Sequence, residues 1–259
     1  MSLIDILKLP EAKLIQDLDS PDTAAIHKKI IQKKVFLKKL YLDFYSEFKQ
    51  ALAKAPKGLS VEIGSGSSFL KELVPEVITT DLFAMPNIDI VLSGTALPFK
   101  DNSVSVFFLQ NVLHHIQDPI TFFHEIKRCL INKGIIIMIE PYNSLWGRFI
   151  YKYFHHESFD VKAKWELNGQ GRLTDANSAL PWIIFFRDRA TFEKLFPELR
   201  IQRLVPHTPL RYLLSGGLSI IQLIPSSMYN IVKGVETILS PLNKYLGMFI
   251  TIELEKNML

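Results

Sequence analysis

Leu59-Ser60-Val61-Glu62-Ile63-Gly64-Ser65-Gly66-Ser67-Ser68 is the stretch on which the reading of this chain turns. A short apolar strand ends on an acidic residue. It then passes through two glycines separated by one residue. Glycine permits the tight turn and lets a ligand come close to the backbone. The pattern predicts strand, turn, then a helix over 67–73, whose first amides and positive dipole end would face the turn. The full dinucleotide pattern G-x-G-x-x-G is not met, because Phe69 stands three residues past Gly66.

Working outward, VITTD (77–81), IDIVL (88–92), VSVFFLQ (104–110) and GIIIMIE (134–140) read as four more strands, with a helix over 119–130. Runs that are apolar on both faces and alternate with helices imply a parallel sheet covered on both sides. LRIQRLV (199–205) and GMFITIELEK (247–256) read as the last two strands, after a helix over 187–197. Asp81 closes the second strand. An acid there can hold both hydroxyls of a ribose, or simply cap the next turn. The segments around Gly94–Phe99 and Gln110–Ile116 also leave carboxyl ends of strands, where open parallel sheets bind ligands.

Residues 22–54 read as one helix, capped by Ser20 or Asp22. Ile26, Ile30, Leu37, Tyr41, Phe44 and Phe48 form one apolar stripe, and Lys28, Lys29, Lys33, Lys34, Lys38 and Lys39 lie mostly off it. Two readings stand: a packed helix with a solvated Lys face, or a basic amphipathic helix for an anionic surface. The organisation that follows is an N-terminal helical extension (1–56) and a main domain (57–259). Two insertions, 141–186 and 207–246, would form a helical lid.

Composition narrows the class. With 259 residues and 48% apolar content the chain is not a disordered one. A single Cys excludes a disulfide framework and a multi-Cys zinc site. Mean hydropathy is +0.15, which is apolar for a soluble fold. Tyr212–Val232 has no charged side chain, but Gly216, Gly217 and Pro225 interrupt it as a membrane span. The start, MSLIDILKLPEAK, lacks the pattern of a secretory signal. The expected location is cytoplasmic, or peripheral to the inner face of the membrane.

The run from Leu59 to Tyr142 resembles a class I S-adenosylmethionine-dependent methyltransferase of the small-molecule type. VEIGSGSS resembles its first motif and ITTDL its acidic second-strand motif. GTALPFKDNS resembles the adenine-side loop, and LQNVLHHIQDPITFFHEIKRCLINKGIIIMIEP resembles the fourth strand through the fifth. The resemblance implies an α/β, Rossmann-like doubly wound sheet, mostly parallel with an antiparallel last strand. It implies S-adenosylmethionine as cofactor. Glu62, Gly64, Ser65 and Gly66 would lie under its methionine part. Asp81 would hold the ribose with Leu82 beside the adenine, Thr95, Ala96 and Leu97 would line the adenine pocket, and Gln110 and Asn111 would sit near the sulfonium. Three departures stand out: Ser68 for a third Gly, Ser93 for the usual Asp of the adenine loop, and Val104-Ser105 for Phe-Asp. Ser93 leaves the adenine amino contact to a backbone group or to Thr95.

A hydroxyl acceptor needs a base, since a protonated alcohol is a poor nucleophile. The candidates are His114, His115, His155, His156 and Glu157, and His115, His156 and Glu157 are the catalytic expectation. For His114 and His115 the alternative is packing on the sheet and helix capping. No metal is expected. There is no Asn-Pro-Pro-Tyr or Asp-Pro-Pro-Tyr element after the fourth strand and no RNA-binding module, so nucleic acid is not the expected partner. That leaves a small-molecule, lipid-linked or glycan acceptor, with O-methylation expected. HHESFD, ALPWIIFFRDRATFEKLFPEL, YLLSGG and LIPSS resemble a bacterial methyltransferase subgroup of surface-glycan or lipid-linked sugar pathways.

Overall fold

The computed structural model describes residues 7–155, 157–167 and 174–257. Helices α1 (Pro21–Lys33) and α2 (Val35–Lys54) lead into β1 (Leu59–Ile63), β2 (Ile78–Asp81) and the short β3 (Ile90–Val91). β4 (Val104–Gln110), α3 (Pro119–Cys129), β5 (Leu130–Pro141) and α4 (Leu145–Phe154) follow. Then come α5 (Arg189–Leu195), β6 (Leu199–His207), α6 (Arg211–Ser215), α7 (Tyr229–Leu239), α8 (Asn243–Leu246) and β7 (Phe249–Lys256).

The strands form one sheet in the order β3-β2-β1-β4-β5-β7-β6. All pairs from β3 to β5 are parallel, and β7 runs antiparallel to both β5 and β6. This is the Rossmann-like doubly wound arrangement with one antiparallel strand. The order reverses between β1 and β4, which opens a crevice at their carboxyl ends.

The period-2 geometry of strands explains the two cores. Phe107, Leu109, Ile136 and Met138 face α3 and the 180–196 segment, against Phe122, Phe123 and Ile126. Val106, Phe108, Ile135 and Ile137 face the other way, against Phe44, Tyr45 and Phe48 of α2. Each such side chain taken fully from water stabilises the fold by about 1.5–3 kcal/mol. The stripe on α2 is therefore spent on the sheet.

Two local expectations are corrected. Residues 22–54 are two helices, because Lys34 leaves helical geometry (φ −88°, ψ 93°). Its ammonium turns inward and donates to the carbonyls of Gly217 (2.7 Å) and Ile220 (2.9 Å). Burial lowers its pKa to about 8. The Lys face is thus not a uniform solvated one. Lys28 and Lys33 also pair, with Glu72 (3.3 Å) and Glu11 (2.6 Å).

Residues 67–73 hold only a 3-10 turn, Leu70–Glu72, in place of the expected helix. Side chains take the amides that would start one. Ser68 Oγ accepts from Leu70 N (3.0 Å), and the Tyr45 hydroxyl accepts from Phe69 N (3.3 Å). Such local side-chain bonds compete with helix formation, and Pro75 follows directly. The strand at 88–92 shrinks to Ile90–Val91 at the sheet edge. Among the described residues no helix is long and apolar enough to cross a membrane.

Candidate active site

A cavity of about 1190 Å³ opens at the carboxyl ends of β1, β2, β4 and β5. Pockets for one small ligand run to about 300–1,000 Å³, so this one has room for two partners.

The first wall is the turn after β1. Gly64 has φ +65°, and a Cβ there would meet Val112 Cγ2 at 2.7 Å. Gly66 has φ +37° and its amide donates to Asp81 Oδ2 (3.0 Å). Asp81 Oδ1 accepts from Phe83 N (3.3 Å). The turn is locked to β2 by Ser65 N to Thr80 O (2.7 Å) and Thr80 Oγ1 to Glu62 O (2.8 Å). The phosphate-type grip of a helix N-terminus is absent, since no helix follows.

Glu62 is buried beneath this turn. Burial pushes its carboxyl up to about 7, against the Ser68 and Ser65 hydroxyls that pull it down. Its Oε2 has no hydrogen-bond partner among the described residues. Gln110, at the end of β4, also lines the cavity, and both atoms of its amide are shielded and unpartnered. Asn111 follows with φ +55°, its amide donating to Ile139 O (2.9 Å). Native buried polar groups are nearly always paired. Glu62 and Gln110 therefore mark a place built for a polar ligand.

Residues 93–97 are tied down by hydrogen bonds. Ser93 Oγ and Thr95 Oγ1 bond at 2.8 Å, and Ala96 N donates to Ser93 O. Leu97 N donates to Glu125 Oε2 (2.9 Å) and Leu97 O accepts from Arg128. Leu82, Ser93 and Thr95 line the cavity; the expected Ala96 and Leu97 are not part of its lining, Ala96 being exposed and Leu97 buried.

The opposite wall is ionic. His114 is buried, with Nδ1 2.6 Å from Glu140 Oε2 and Nε2 3.3 Å from Glu157 Oε2. Burial opposes its charge, but the two carboxylates outweigh it and raise His114 to about 10. Glu140 Oε1 also accepts the amides of Val112 and Leu113 (2.8 Å each), fixing the segment after β4. For Glu157, burial is outweighed by His114, with His155 and His115 adding to it, so its carboxyl lies far below the usual range. His115 packs at a tilt against His114 (ring centroids 4.2 Å apart, planes 40° apart) and places Nε2 3.7 Å from Glu157 Oε1. Ser178 Oγ donates to Glu157 Oε2 (2.6 Å).

The structure thus brings His115 and Glu157 together at the cavity, and it puts His114 in the charge network. His156 lies outside the described residues. His114, His115 and Glu157 bring one ligand-type atom each within 4.8 Å of one another. Glu140 takes Nδ1 of His114, and Nε2 faces Glu157.

Sequence reasoning missed two parts. Glu140 ends β5 just before Pro141, a strand-end acid like Glu62 and Asp81, and that position was its signal. The other is an N-terminal strap: Leu9 N donates to Ser219 O (2.9 Å) and Ile221 N to Leu7 O (2.8 Å). It brings Ala12, Ile15, Leu18 and His27 into the cavity wall beside Gly216–Ile220.

Residues 61–138 match the family model described as a methyltransferase domain. Among solved structures, geranyl diphosphate C-methyltransferase from Streptomyces coelicolor A3(2), solved with Mg2+, geranyl diphosphate and S-adenosyl-L-homocysteine, is similar at 15% identity and a TM-score of 0.52. That match covers 89% of this chain and 83% of that one. A SAM-dependent methyltransferase from Methanosarcina mazei is similar at 14% identity and a TM-score of 0.46, over 80% of this chain and 97% of that one. No curated protein matches. Residues 61–138 thus carry a methyltransferase domain, and the fold of the chain is that of the class I S-adenosylmethionine-dependent methyltransferases.

Proposed function

We propose that this protein transfers the methyl group of S-adenosylmethionine to a hydroxyl of a small-molecule, lipid-linked or glycan acceptor. The observation that carries the reading is the buried Glu62 carboxylate with its unpartnered Oε2, beside the unpartnered Gln110 amide, at the turn tied to Asp81. An ammonium group suits the first and a carboxylate or amide-bonding group the second, which is the chemistry of an amino-acid moiety. The residues present fit the cofactor.

Glu62 holds the amino end, and Gly64, Ser65 and Gly66 let the methionine part approach the backbone. Asp81 keeps Gly66 in place with one oxygen and takes the ribose, with Leu82 covering the adenine. Thr95 reaches the adenine directly. Leu97, buried, supports that wall from behind. Gln110 and Asn111 flank the reacting end. The cofactor supplies an activated methyl on a sulfonium. The chain's remaining task is alignment, water exclusion and proton removal. His115 takes the hydroxyl proton, and Glu157 orients the ring. The Glu140–His114–Glu157 network keeps Glu157 charged for that work.

Calorimetry tests the cofactor step. Wild type binds S-adenosylmethionine and S-adenosylhomocysteine, and Asp81→Ala loses at least about tenfold in affinity, as one charge-assisted hydrogen bond is worth ~1.5–3 kcal/mol. Absence of binding would sink the reading. Binding without product release, across hydroxyl acceptors of all three classes, would make the protein a silent cofactor binder.

A further inference from the structure

Three neighbouring helices present an apolar face to solvent. α4 buries only Gly147, Ile150 and Tyr151. It turns Leu145, Phe149, Tyr153 and Phe154 outward, with Leu145 71% and Tyr153 62% exposed. α7 buries only Tyr229, Val232 and Glu236, and exposes Ile231, Val235 and Ile238, the last 80% exposed. The turn Ser240–Leu242 and α8 join the two, since α8 packs on α4 and follows α7 through that turn. Leu242 and Tyr245 continue the face there.

The charges on these elements are one-sided. They carry Arg148, Lys152, Lys233 and Lys244, and one acid, Glu236. Glu236 is buried and held by Arg211, with the amides of Leu210 and Arg211 on its other oxygen (2.8 Å each). Every charged group that the three helices expose is therefore a cation. Lys233 reaches back to Asp43 (2.8 Å). Lys152 and Lys244 lie over the rings of Tyr153 and Tyr245, the posture of stems that lie along apolar surface with the head group in water.

From this we infer that α4, α7 and α8 form a docking face for a lipid bilayer with anionic head groups. Aromatic and aliphatic side chains enter the head-group boundary and the cations meet the lipid phosphates. Phe154 belongs both to this face and to the cavity wall, so the docked protein holds its cavity mouth at the membrane surface. This face is built from helices other than the Lys-bearing α1 and α2, although α7 packs on α2 through Tyr229 and Lys233. It does not depend on the activity proposed above.

Sedimentation of the full chain with vesicles tests it. Wild type pellets with phosphatidylcholine–phosphatidylglycerol vesicles and less with phosphatidylcholine alone. Phe149→Glu and Ile238→Glu each weaken partition by about tenfold or more, the cost of placing a charge where an apolar side chain was buried. Lys29→Glu, on α1, leaves it unchanged. Tyr153→Ser and Ile238→Ser serve as milder variants, and circular dichroism confirms that each is folded. The inference is overturned if wild type stays in the supernatant with both vesicles, or if the face variants pellet as wild type does. It is equally overturned if wild type is a dimer that Ile238→Glu dissociates without vesicle binding, which would assign the face to a second copy.

Discussion

Replacing Glu62 by Gln should have opposite effects on the empty and the loaded protein. The ordinary glutamate value is 4.5, and burial pushes Glu62 up to about 7. The folded chain thus binds its proton more tightly than the unfolded chain. Stability contributed by the neutral carboxyl is present at pH 4.5 and falls as pH rises toward 7. Above 7 the ionised, buried carboxylate costs the empty protein on the order of 3 kcal/mol. Glu62→Gln removes that cost. Its melting temperature at pH 8 should exceed that of wild type by roughly 5–10 °C, while at pH 5 the two should agree. Cofactor binding should move the other way. An ammonium group needs the ionised carboxylate, so wild-type affinity falls about tenfold per pH unit below 7. Glu62→Gln binds at least about tenfold more weakly at pH 8 and without that slope. Thermal shift and calorimetry from pH 5 to 8 read both effects. A wild-type affinity that is flat across this range, or a variant melting below wild type at pH 8, would refute the argument.

Other sites give separate tests. Gly64→Ala should destabilise by about 1–3 kcal/mol, read by urea unfolding, because φ +65° and the contact with Val112 both exclude a Cβ. His115→Ala and Glu157→Gln should lower turnover by about 10²–10⁴ while cofactor affinity stays near wild type; an equal loss in both would reassign them to structure. Glu140→Gln leaves the His114 cation half-paired and should cost about 3 kcal/mol at neutral pH. In wild type, the stability that the His114 network contributes is complete below pH 6.5 and fades as pH rises through about 10. Chemical denaturation from pH 6 to 10.5 measures that decline, and its absence in Glu140→Gln identifies the source.

The sheet was legible because parallel strands buried on both faces leave a local mark, a run such as Val104–Gln110 or Ile135–Glu140 with no polar alternation. The strand-end residues Glu62, Asp81, Gln110 and Asn111 were legible for the same reason: topology alone sends carboxyl ends to one crevice. What escaped was decided by distant groups. Lys34 breaks the 22–54 helix by reaching carbonyls 183 and 186 residues away. The 67–73 helix fails because Tyr45, from α2, takes Phe69 N. Glu157 lies in an insertion with no periodicity, so its approach to His114 and His115 is a tertiary event. The apolar surplus of the composition divides along the same line. Ile26 aside, the stripe on α1 and α2 is spent inside: Ile30, Leu37, Tyr41, Phe44 and Phe48 are buried. Part of the share that stays in water lies on α4, α7 and α8, where a helix buries one narrow stripe and repeats its apolar residues on the other side. On the docking proposal this exposed half is what an anionic bilayer covers, with the cations beside Tyr153 and Tyr245 meeting its phosphates.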